Sequence, residues 1–130
     1  MPREFPRTRR VGEQLRRDLA ELIRTETDDP RLTLVSITSA EVSRDLGHAR
    51  VYVTYLGESG ERATVLSELN RLAPLLRGHL GRRLRLRTVP RLRFIYDDSV
   101  ERGAELSDLI DRAVASDRAR HRDDESEGDA

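Results

Sequence analysis

Eight arginines lie between positions 71 and 96, at 71, 77, 82, 83, 85, 87, 91 and 93, with no acid among them. The flanking carboxylates are Glu68 and Asp97. A guanidinium is a planar fork that meets two phosphate oxygens at once. An unopposed charge of about eight on a compact domain calls for a polyanion, and nucleic acid is the usual one. A merely solvated face is the competing explanation for any charge run, so the rest of the chain has to decide.

Other residue types that could do chemistry are present without the spacing for it. Ser43, Asp45 and His48 are the members of a hydrolytic triad, yet they fall within one hairpin turn, where a capped turn accounts for them. The three histidines (48, 79 and 121) are scattered without ligand spacing, so no metal site is expected. Asp97 and Asp98 fit the capping of a following helix better than a cation site. No phosphate-cradling glycine loop of a nucleotide-binding protein occurs. No catalysis and no cofactor are expected. What remains is recognition of an RNA backbone, read mostly through shape and phosphate position. The candidate contacts are Arg77, Arg82, Arg83, Arg85 and Arg87, with Arg7, Arg9 and Arg10 extending the patch. Arg44, Arg91 and Arg93 rank below them, because strand and turn arginines often only solvate a face. Aromatic residues make up 4% of the chain, and Tyr52, Phe94 and Tyr96 read as core or sheet positions. Base stacking is therefore a minor term.

The chain has 130 residues, enough for one domain with tails. Its formal net charge of zero conceals a division. Residues 1–95 carry 19 Arg against 12 Asp and Glu, a net +7, whereas residues 96–130 carry 5 against 12, a net −7. With no cysteine, disulfides and thiolate metal sites are excluded. The opening Met-Pro-Arg-Glu-Phe-Pro-Arg lacks the apolar centre of a signal peptide, and no apolar run approaches the roughly 20 residues of a membrane span. A cytoplasmic protein with no membrane contact is expected.

These side chains need a scaffold, and the pattern supplies one. Residues 1–7 form a short basic arm. Val11, Leu15, Leu19, Leu22 and Ile23 mark one face of a helix over 8–25, which Asp28-Asp29-Pro30 ends. Residues 32–43 read as a strand. Val35 and Ile37 share one face and Ala40 and Val42 the other, which predicts a bulge or twist near Thr38. Residues 43–48 turn the chain into a second strand over 49–56, and the two pair as a hairpin. Apolar residues from Val65 to Leu80 repeat at helical spacing around Pro74, whose missing N–H predicts a kink. Residues 91–96 form a third strand. A final helix begins at Asp98-Ser99-Val100-Glu101, with Leu106, Leu109, Ile110 and Val114 on its apolar face. The domain is expected over 8–115, with 116–130 a disordered acidic tail. The fold class is α+β: a mixed three-stranded sheet with helices packed on one face.

With these blocks in place, the chain resembles the ribosome-binding factor A family of bacterial small-subunit assembly proteins. The resemblance spans Arg9 to Ile110. It rests on Arg10-Val11, Asp29-Pro30-Arg31-Leu32, Val42-Ser43-Arg44-Asp45-Leu46 followed by Ala49-Arg50-Val51-Tyr52-Val53, Leu76-Arg77, Leu84 through Leu92, and Phe94-Ile95-Tyr96-Asp97-Asp98-Ser99. It implies a type II KH-like domain with an interhelical kink in place of the KH loop. It implies a monomeric, non-catalytic protein that binds the immature 30S small subunit and assists late maturation and processing of 16S rRNA, notably in cold adaptation. The implied partners are 16S rRNA and its precursor, with assembly GTPases beside them. The family's Ala-x-Gly kink is here Leu72-Ala73-Pro74, a departure. Gly78-His79-Leu80-Gly81 matches the KH backbone-clamping loop in form only, since too few residues separate it from the third strand. Two alternatives stand beside this reading. A generic single-stranded RNA-binding KH module would want that loop correctly placed. A protein-interaction adaptor would use the acidic tail.

Overall fold

The structure is a computed structural model and describes residues 6–84 and 88–128. Its elements are α1 (Pro6–Glu26), β1 (Val35–Val42), β2 (His48–Tyr55), α2 (Arg62–Arg83), β3 (Arg91–Tyr96) and α3 (Ser99–Gly128), with short 3-10 turns at Pro30–Leu34 and Ser59–Glu61. The chain divides into two compact units, Met1–Asp97 and Asp98–Ala130.

In the first unit β2 is the central strand, antiparallel to β1 and parallel to β3. The mixed sheet follows from connection length: a tight turn joins β1 to β2, whereas α2 carries the chain across to β3. Alternation puts Ala49, Val51, Val53 and Tyr55 of β2 on one face. Leu15, Leu19, Leu22 and Ile23 of α1 pack there with Val65, Leu69, Ala73, Leu76 and Leu80 of α2, around a fully enclosed Phe94. The expected bulge is present. Ile37 pairs with Val53 and Ser39 with Tyr52, so Thr38 is the extra residue. Its hydroxyl donates to the Asp97 carboxylate at 2.6 Å, tying β1 to the end of β3.

The first strand starts three residues later than the pattern predicts. Asp29 accepts from the Arg31 amide (3.0 Å) and forks with its guanidinium (2.8 and 3.2 Å), which winds Pro30–Leu34 into a turn and buries Leu32. Arg31 thereby holds the Asp29 carboxyl below the usual carboxylate range. At the hairpin, Asp45 accepts from the Gly47 amide (3.0 Å) and the Ser43 hydroxyl (2.7 Å), and the Ser43 oxygen accepts from the His48 amide (3.0 Å). These residues form the capped turn that the sequence favours over a triad. Leu46 sits there with φ 61°, a left-handed backbone that a branched side chain adopts at a cost, and it is nonetheless buried.

The second unit is α3. The helix continues to Gly128, past residue 116, where the loss of apolar residues leads one to expect disorder. From Ala104 to Glu127 no glycine or proline interrupts it, and four Ala and four Arg favour the helix while five Asp do not. An Arg112–Asp108 bridge at i, i+4 adds local support. On its apolar stripe, Leu106, Leu109 and Ile110 are each more than half exposed.

Candidate nucleic-acid interface

After Glu68, α2 carries no acid, and its C-terminal half presents Arg77, Arg82 and Arg83 on the surface. Leucines at 69, 76 and 80 fix which side faces the core, so the arginines must face outward. Gly78 and Gly81 lie inside this helix, which rules out a KH-type glycine loop at 78–81. A side chain added at Gly78 would meet nothing within 4 Å, whereas one at Gly81 would touch Val89 at 3.4 Å. The two glycines open one wall of a groove of about 780 Å³ between α2 and the chain leading into β3. Asn70, Pro74 and Arg77 share that wall, with Thr88, Val89 and Arg91 opposite.

Each predicted contact residue has its own surroundings. Arg77 donates from both Nε (3.1 Å) and Nη2 (3.0 Å) to the Val89 carbonyl, so it fastens the groove as well as charging it. Arg82 Nη2 lies 2.9 Å from His79 Nδ1, and His79 Nε2 is 3.6 Å from Glu26 of α1. Arg83 reaches Glu21 of α1 at 3.1 Å. These pairings make α1 and α2 antiparallel neighbours. They also place Arg9 and Arg10, exposed on the first turns of α1, apart from Arg83. Arg10 stands eleven residues before Glu21, about 16 Å along the helix. The structure thus gathers Arg77, Arg82 and Arg83 in the C-terminal half of α2, with Arg9 and Arg10 more than two turns of α1 away from the Arg83–Glu21 contact. Arg85 and Arg87 lie outside the described residues. Leu72, Ala73 and Pro74 fall within the continuous run of α2, with Ala73 buried and Pro74 exposed.

One positioning residue escapes sequence reasoning. The Asn70 amide accepts from the Phe94 N–H (2.8 Å) and donates to the Phe94 carbonyl (3.0 Å), acting as one rung of a further strand on the outer edge of β3. A polar residue on a helix reads as solvated, and its partner lies 24 positions away. Each such bond is worth about 1 kcal/mol, so Asn70→Ala should lower stability by about 2 kcal/mol and Asn70→Asp by less, because the acceptor remains. Urea unfolding measures both; an unmoved midpoint for Asn70→Ala would remove the residue from this role.

Among the described residues no helix is long and apolar enough to cross a membrane, and no three His, Cys, Asp or Glu side chains are grouped to hold a metal.

The comparisons with known proteins bear on this geometry. The family model described as ribosome-binding factor A matches residues 7–110. A ribosome-binding factor A from Thioalkalivibrio sulfidiphilus is 57% identical over 127 residues, covering 98% of either chain. The crystal structure of ribosome-binding factor A from Thermus thermophilus superposes with a TM-score of 0.61 at 35% identity, over 68% of this chain and 93% of that one. Coordinates of the Thermus thermophilus factor fitted into a cryo-EM map of a 30S complex superpose with a TM-score of 0.57 at 36% identity, over 67% and 91%. A continuous match of that extent, on the same KH-like scaffold, means that this chain belongs to the ribosome-binding factor A family.

Proposed function

We propose that this chain binds the immature 30S subunit by holding phosphates of 16S rRNA and its precursor, and that it assists late maturation and processing of that rRNA. The observation that carries the proposal is the acid-free, arginine-bearing C-terminal half of α2, on a scaffold whose Thermus relative has been fitted into a 30S complex. Arg77, Arg82 and Arg83 form the centre of the contact, with Arg85 and Arg87 completing it and Arg9 and Arg10 reaching a separate stretch of backbone. The protein acts without catalysis, as a cytoplasmic monomer, with assembly GTPases among its partners and its greatest effect in the cold. Cold strengthens non-productive RNA pairing, and a bound factor that favours one rRNA arrangement matters most there. Residues 1–7 are a basic arm, 8–115 the RNA-binding domain, and the acidic segment from 116 stays off the RNA because it repels phosphate.

Pro74 belongs to the site in this proposal. It cannot return a hydrogen bond to the Asn70 carbonyl, so it favours a bend at Leu72-Ala73-Pro74 that sets the direction of Arg77, Arg82 and Arg83.

Sucrose-gradient sedimentation of tagged full-length protein tests the proposal. It should travel with free small subunits and their precursors and be absent from large subunits. Equal recovery with both would defeat it.

A further inference from the structure

The sheet has two faces, and the helices of the first unit cover one. On the other, β2 presents His48, Arg50, Tyr52 and Thr54, and β3 presents Arg91, Arg93 and Ile95. Register pairs His48 with Arg91, Arg50 with Arg93, and Tyr52 with Ile95. Neighbours in adjacent strands are about 4.8 Å apart, and alternate residues along a strand about 6.6 Å apart. Arg50, Arg91 and Arg93 therefore form a compact grid beside His48, all of them exposed, bordered by the half-buried Tyr52 and Ile95.

Like charges set side by side in a sheet repel. The acids nearby do little to offset them. Glu41 of β1 bridges Arg50 at 3.1 Å and is, among the described residues, the one carboxylate paired with the grid. Asp45 is engaged by Ser43 and Gly47, and Asp97 by Thr38. The turn adds another base, Arg44. Among the described residues no hydrogen bond or ion pair engages the guanidinium of Arg91 or Arg93; the Arg91 amide alone donates, to the Gly47 carbonyl at 2.9 Å. Their side chains extend into solvent as unpaired forks.

We infer that this open face of the sheet is a second RNA-binding surface, on which Arg91, Arg93 and Arg50 hold the phosphates of a strand lying along β2 and β3. The inference rests on the proposed RNA-binding function and extends it. With α1 and α2 on one side of the sheet, Arg50 and Arg93 on the other, and Arg91 at the edge where it also borders the α2 groove, the domain holds two RNA segments at once.

The test measures how many copies of a short single-stranded RNA bind full-length protein at low salt, by native mass spectrometry. Wild type should bind two. Arg50→Gln with Arg93→Gln, which leaves the groove lining untouched, should bind one, at a nearly unchanged melting temperature, and its overall salt slope should flatten by about one to two units. Arg50→Lys with Arg93→Lys should again bind two, which separates lost charge from lost folding. Two copies on the Gln variant with a wild-type salt slope would overturn the inference. So would a wild type that binds one copy and loses it in either arginine pair, since the surfaces would then be one. Displacement of the RNA from this face by poly-glutamate at equal charge concentration would also overturn it, in favour of an acidic protein partner. If Arg82→Gln with Arg83→Gln keeps two copies while the sheet variant keeps one, the sheet surface stands and the α2 contact fails.

Discussion

Replacing Arg82 and Arg83 together by Gln should flatten the log–log salt dependence of precursor-rRNA binding by about one to two units, because each neutralised phosphate contributes a slope of about 0.7 to 0.9. Across a fourfold rise in salt, wild type should then lose about an order of magnitude more affinity than the variant. The two arginines are unequal. Arg82 touches the His79 ring, whereas Arg83 is already bridged to Glu21, whose carboxylate competes with phosphate. Arg82→Gln alone should therefore move the slope more than Arg83→Gln alone. Stability should fall by less than about 1 kcal/mol, since the Arg83–Glu21 pair is surface-exposed and largely screened. Filter binding over a salt series measures the slope, and an unchanged value would take both residues out of the site.

The largest stability effect should come from Gly12, where α1 meets the sheet. A Cβ at this buried position would lie 2.5 Å from the Ala40 carbonyl oxygen, and backbone cannot swing aside as a side chain can. Glycine here is required for close approach, not for turning. In an exposed helix, alanine for glycine would stabilise by about 1 kcal/mol. Here the overlap forces α1 off β1, and Gly12→Ala should destabilise by about 1–3 kcal/mol despite its better helix propensity. For a domain of this size that corresponds to roughly 4–8 °C in melting temperature for each kcal/mol. Gly78→Ala is the control: it adds the same methyl in open space and should melt at or above wild type. A Gly12→Ala protein that melts no lower would show that α1 does not sit this close.

How much of this was legible depended on whether a signal was local. The bulge at Thr38 could be read because the apolar phase changes between Ile37 and Ala40, and the strands pair with that shift. The capped turn at 43–48 could be read because Ser43, Asp45 and Gly47 bond within a few positions of one another. The end of α2 was less clear, since Gly78 and Gly81 interrupt the apolar pattern but not the helix. Contacts distant in sequence left no trace. Arg83 and Glu21 are 62 positions apart, and Asn70 and Phe94 are 24 apart. The pairing of arginines across the sheet is also distant in sequence. Arg50 meets Arg93 only once the crossover through α2 has fixed the parallel register.

The most direct test of the central claim places a probe in the groove on α2. The chain has no cysteine, so single substitutions carry a unique label. Gly78→Cys puts a thiol in open space beside Arg77 and Arg82, and Thr64→Cys puts one on the exposed start of the same helix, about 21 Å away. Each would carry a short-armed photo-crosslinker in full-length protein bound to small-subunit precursors. Crosslinks to 16S rRNA are expected from position 78 and few or none from position 64. Crosslinks from position 64 with none from position 78 would contradict it.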